Sequence, residues 1–148
     1  MPISHAFPHR LSSSLIYQVV VAPTNLHLGA VQATLAAPAL VAAQNCSVSG
    51  NGAFTGEVSA DMLKDHGVQW VILGHSERRQ LYGESDALVG QKTKVALAKG
   101  LAVIACIGET LDERKADQTL AVCVRQLAAI GANVAPAEWS RIVIAYVL

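Results

Sequence analysis

No stretch of the 148 residues stays apolar for the roughly 18 positions that a membrane-spanning helix needs. Charge is also sparse, at 15% Asp, Glu, Lys and Arg with a formal net charge of zero, so no basic face for nucleic acid is expected. Cysteine is limited to Cys46, Cys106 and Cys123, an odd number without metal-site spacing. Free thiols in a reducing compartment are the simplest account, and neither a metal nor a cofactor is expected. The first 56 residues contain no Asp or Glu and one basic residue, Arg10. One Arg is too few for a transit peptide, and Gln18 interrupts Leu15 to Ala22 too early for a secretory core. The cytoplasm is therefore the expected compartment. Apolar residues are plentiful, at 52%, in a chain of one-domain length, so a real core can form.

Residues 1–18, with Pro2, Pro8 and a serine run, have no period and read as an irregular segment; 19–148 form the domain. Tyr17 to Ala22 predicts a β-branched strand stopped by Pro23, and Thr24-Asn25 can cap a helix to about Ala36. Val41 to Ala43 is the next strand. Cys46 to Glu57 is a long loop with Gly50, Gly52 and Gly56. Ser59 caps a helix through His66 that Gly67 terminates. After the Trp70 strand, Ser85 caps a helix ended by Gly100, and Leu101 to Ile107 is a buried strand. Asp112-Glu113-Arg114-Lys115 opens one long helix through Ile130, and Pro136 and Trp139 lead into Ile142 to Tyr146. Five strands alternating with helices specify an α/β fold of parallel βαβ units.

The informative stretch is Trp70 to Arg79. Four apolar residues form a short buried strand, Gly74 breaks it, and His75-Ser76-Glu77-Arg78-Arg79 follow without a gap. Polar groups on the carboxyl end of a parallel strand are where α/β proteins place their sites. Ser76 is expected as N-cap, with His75 beside the positive end of a helix. There a neutral ring able to donate an N–H is favoured over imidazolium. Residue types alone also allow a lone loop histidine beside a surface charge run. Cys106, at a strand end, reads either as a nucleophile or as a buried structural thiol.

Leu73-Gly74-His75-Ser76-Glu77-Arg78-Arg79 resembles the signature of the triosephosphate isomerase family. So do Ala43-Gln44-Asn45-Cys46, Asn51 to Glu57, Tyr82-Gly83-Glu84-Ser85-Asp86, Val103 to Glu109 and Ile142 to Tyr146, in the family's order, from about Val19 to Tyr146. The resemblance implies strands two to six of an eight-stranded (β/α)8 barrel, a partial and unclosed one, since a whole barrel takes about 250 residues. One face of the sheet and two edge strands are then expected to lie open.

The implied reaction is the glycolytic and gluconeogenic interconversion of dihydroxyacetone phosphate and glyceraldehyde 3-phosphate. The family is a standard worked example of a Glu base paired with a neutral His electrophile. By resemblance His75 is the electrophile and Glu77 a supporting carboxylate; Glu77 reads otherwise as a salt-bridge partner of Arg78 or Arg79. The base is expected directly after Tyr146, where this sequence has Val147. No Asn-x-Lys follows the first strand, and the phosphate-binding turns of the last two strands do not occur. This polypeptide is therefore expected to be an inactive fragment or variant of an isomerase.

The resemblance also implies homodimerisation through Gln44, Asn45, Thr55, Gly56 and Glu57, with the loop docking into a partner subunit. Without it, that loop reads as a flexible surface segment. The competing account is a non-catalytic protein that pairs with intact isomerase subunits. A third, an unrelated α/β binding domain, requires the ordered motifs to be coincidence.

Overall fold

The computed structural model describes residues 17–147; most of the 1–18 segment lies outside the described residues. Five parallel strands form one sheet in chain order: β1 (Val20–Val21), β2 (Leu40–Ala43), β3 (Trp70–Leu73), β4 (Ala102–Ile107) and β5 (Ile142–Tyr146). Between them run α1 (Leu28–Thr34), α2 (Ala60–Asp65), α3 (Ser76–Tyr82), α4 (Asp86–Ala98), α5 (Leu111–Lys115) and α6 (Thr119–Gly131). Short 3-10 turns at Asn25–His27 and Pro136–Arg141 precede α1 and β5. The parallel strands are those that the alternation of strands and helices predicts, and they form an open part of a (β/α) barrel, as the resemblance implies.

Parallel pairing places residues of neighbouring strands in rows. Ala43, Val71, Val103 and Ile142 form one row and Leu73, Ala105 and Ile144 the next, both on the helix side. Val41, Ala43, Val71, Leu73, Val103, Ala105 and Ile107 are buried there with Leu63, Val89, Leu97 and Ile130 of the helices. Each of the valine, leucine and isoleucine side chains among them contributes about 1.5–3 kcal/mol relative to leaving it exposed. The opposite face is poorly covered. Val20, Leu40, Ile72, Ala102, Ile104 and Ala145 are half-buried and Val143 is half-exposed; only Ala42, Trp70 and Cys106 are buried on that side.

Several sequence expectations are corrected. The first strand is two residues, not Tyr17 to Ala22, because only Val20 and Val21 stand in register with residues of β2. Tyr17 and Val19 are exposed, although the Val19 carbonyl accepts from the Leu40 amide. Thr24 makes no side-chain cap; its hydroxyl lies 2.8 Å from His27 Nδ1. The single helix from Asp112 to Ile130 is two helices, because Asp117 adopts φ 57°, a left-handed conformation that interrupts the helical ladder. The Ser59 and Ser85 caps hold: their hydroxyls accept from the Met62 and Leu88 amides, and Gly67 and Gly100 follow their helices at φ 81° and 80°.

Candidate active site

The site is built at the carboxyl end of β3. Gly74 turns the chain out of the strand at φ 72°, and a Cβ there would lie 2.7 Å from Val89 Cγ1 and 3.1 Å from the Cys106 carbonyl. Only glycine fits such a turn without strain. His75 is itself the N-cap of α3 and Ser76 its first residue, correcting the expected Ser76 cap. The His75 ring caps because its Nδ1 reaches the Glu77 amide, 3.4 Å away, and accepts from it. An accepting Nδ1 places the proton of the neutral ring on Nε2, so that nitrogen is left as a donor.

His75 and Glu77 line an open groove of about 570 Å³ together with Gln44, Asn45, Gly56, Glu57 and Arg78. Residues from the ends of β2 and β3 therefore converge on one concavity, although Thr55 does not line it. Glu77 makes no salt bridge to either arginine, which corrects that reading. Its carboxylate is largely exposed, 3.7 Å from His75 Nδ1. Both arginines have other partners. Arg78 pairs with Glu84 and lies over the Tyr82 ring, 4.8 Å from its centroid. Arg79 bonds the Gly74 carbonyl through Nε at 2.7 Å and Asp86 through Nη1 at 2.6 Å. Asn45 and Gln44 are also fixed: Asn45 Oδ1 accepts from Lys92 Nζ at 3.1 Å, and Gln44 Nε2 donates to the Ala22 backbone carbonyl at 3.0 Å.

Beneath the groove lies an ion pair that the sequence reading missed. Lys92 Nζ bonds Glu84 Oε1 at 2.6 Å with both side chains almost fully buried. Burial opposes the Glu84 charge, but the bonds from Lys92 and Arg78 outweigh it and hold the carboxyl below its ordinary range. The signal was available: Lys92 falls at the helical spacing of Val89, Thr93 and Ala96, on the buried stripe of α4. A lysine there needs a charge partner.

At the end of β5, Tyr146 donates its hydroxyl toward both Glu109 carboxylate oxygens, at 2.7 and 2.8 Å, and Thr119 donates to Oε1 at 2.9 Å. The Tyr146 hydroxyl above all, then a backbone N–H and Thr119, keep the Glu109 carboxyl below its usual range against the opposing effect of burial. The Val147 amide donates to the Ile107 carbonyl at 2.8 Å. Valine carries no proton acceptor, so nothing at position 147 can take a proton from carbon. Cys106 and Cys46 are both buried, and burial raises the Cys106 thiol and pushes Cys46 up to about 11, which favours the structural reading of Cys106 over a nucleophile. Among the described residues no cluster of His, Cys, Asp and Glu could hold a metal, and no helix is long and apolar enough to cross a membrane.

The geometry offers an N–H donor, a neighbouring carboxylate and an open groove at strand ends. A family model described as triosephosphate isomerase matches residues 3–146, beginning inside the segment read as irregular. Over 130 residues the chain is 52% identical to the glycosomal triosephosphate isomerase of Trypanosoma cruzi, covering 87% of this chain and 51% of that protein. The chain thus spans about half the length of the curated relative it matches.

Proposed function

The chain belongs to the triosephosphate isomerase family, and on that premise we propose that its groove is the electrophilic half of an isomerase site. In the whole reaction a base removes a carbon-bound proton from dihydroxyacetone phosphate, and the enediolate oxygens need a hydrogen-bond donor. His75 Nε2–H is that donor, and Glu77, beside the ring, supports its placement. The carrying observation is the Nδ1 cap, which leaves the Nε2 proton for substrate.

The 148-residue polypeptide does not complete the reaction. A general base alone contributes about 10²–10⁴-fold, or roughly 3–5 kcal/mol of barrier, and position 147 is valine. The Lys that would meet the phosphate and the glycine-rich phosphate turns do not occur within these residues either. The test is turnover of dihydroxyacetone phosphate by the purified chain, made in a host lacking its own isomerase. No turnover is expected; turnover abolished by His75→Gln would overturn this reading.

A second reading, pairing with intact isomerase subunits or with another copy, is favoured by the exposed loop from Gly50 to Glu57. That loop presents Phe54 half-exposed beside the groove. Mixing the chain with intact enzyme tests it, and a mixed dimer on size-exclusion chromatography is the expected result. Three free cysteines suit a reducing, cytoplasm-type compartment for the glycolytic step.

A further inference from the structure

Arg79 is the most heavily committed side chain near the groove, and it makes no contact with the space where substrate would lie. Each of its three guanidinium nitrogens has a different partner. Nε donates to the Gly74 carbonyl at 2.7 Å, Nη1 to Asp86 Oδ1 at 2.6 Å, and Nη2 to the Cys106 carbonyl at 3.3 Å. The side chain is only 12% exposed. Asp86 is held in turn from α6, by Arg125 at 2.9 Å. The fork therefore ties the last turn of β3 to the end of β4 and to the start of α4.

Its position relative to Gly74 is equally specific. Nη2 lies 3.0 Å from where a Gly74 Cβ would be, so the guanidinium occupies the space that the absent side chain leaves free. Gly74 immediately precedes His75, and the His75 carbonyl accepts from the Arg78 and Arg79 amides in the first turn of α3. The peptide before the His75 ring and the helix after it are thus both attached to Arg79. A lysine could supply the charge but not three donors in one plane.

We propose that Arg79 is the positioning residue for His75: by fixing the Gly74 peptide, it holds the ring where Nδ1 accepts the Glu77 amide and Nε2 carries the donor proton. This rests on the reading of His75 as the electrophile. The chain is labelled with 15N-histidine, and long-range proton–nitrogen spectra report which ring nitrogen bears the proton. The native chain is expected to show His75 in the Nε2–H form. Arg79→Met and Arg79→Lys are both expected to convert it to a mixture of tautomers, with the His27 and His66 spectra unchanged.

A native His75 protonated at Nδ1 would overturn the electrophile reading and the proposal with it. Native-like His75 spectra in both variants would overturn the positioning role alone. Should Arg79→Met fail to fold, Arg79→Lys and Asp86→Asn decide. Asp86→Asn leaves the guanidinium present but weakens its anchor, so a smaller change in the same direction is expected, and no change overturns the proposal. Collapse of all three variants would show that Arg79 serves the fold and not the ring, which equally overturns it.

Discussion

Leu73 on β3 and Ile144 on β5 sit in the same row of one sheet face, joined through Ala105, yet Leu73 is fully buried and Ile144 is 39% exposed. The contrast extends past the strand ends. After β3 come a glycine turn, a three-way guanidinium fork and a ring that caps its own helix. Among the described residues β5 is followed by Val147, whose amide bonds the Ile107 carbonyl. Both strands run parallel in one sheet. What differs is cover: β3 has neighbours on both sides and α4 packed against it, whereas β5 is an edge strand. A site held to fine tolerance is found where the packing is complete.

The largest effect is expected at the turn itself. Gly74→Ala places a side chain at positive φ and against Val89 and the Cys106 carbonyl, at a cost of about 2–6 kcal/mol in urea denaturation. Lys92→Met removes the main partner of buried Glu84 and is expected to cost about 3–5 kcal/mol by the same measurement. The row gives the most direct pairwise test. Leu73→Ala should destabilise by about 2–5 kcal/mol, and Ile144→Ala by less than half as much, because its side chain is already partly in water. Equal losses would remove the distinction between the two strands.

A smaller effect is expected in alkali. Folding raises the Cys46 thiol from 9.0 to about 11. The native state therefore keeps a proton that the unfolded chain gives up across this interval. The stabilisation is complete below pH 9.0 and is lost as pH climbs toward 11, by about 1.4 kcal/mol per pH unit. Replacing Cys46 with Ala should flatten that slope in stability-versus-pH curves, whatever it does to stability at neutral pH.

The well-packed parts of this arrangement were the legible ones. Short β-branched runs stopped by glycine, such as Trp70 to Leu73 and Leu101 to Ile107, announce themselves because burial on a sheet demands those residues. The Ser59 and Ser85 caps are local chemistry and read equally well. The break at Asp117 was hidden, because a non-glycine residue at positive φ leaves little trace in sequence. The His75 cap was hidden for another reason: serine is the commoner capping residue, and only the Gly74 turn brings Nδ1 to the Glu77 amide. The partners of Arg78 and Arg79 depend on tertiary placement, since Asp86 and Glu84 lie beyond the helix that carries the arginines. His75 and the site as a whole were found through the ordered motifs, not through periodicity.

Native-state hydrogen exchange, followed residue by residue across the sheet, tests the contrast between the two strands most directly. The amides of β3 and β4 are expected to exchange only through global unfolding, and those of β5 through a smaller opening of lower free energy. Equal protection of Val71, Ile144 and Tyr146 would contradict the account, because the end of β5 would then be as firmly built as the one that carries His75.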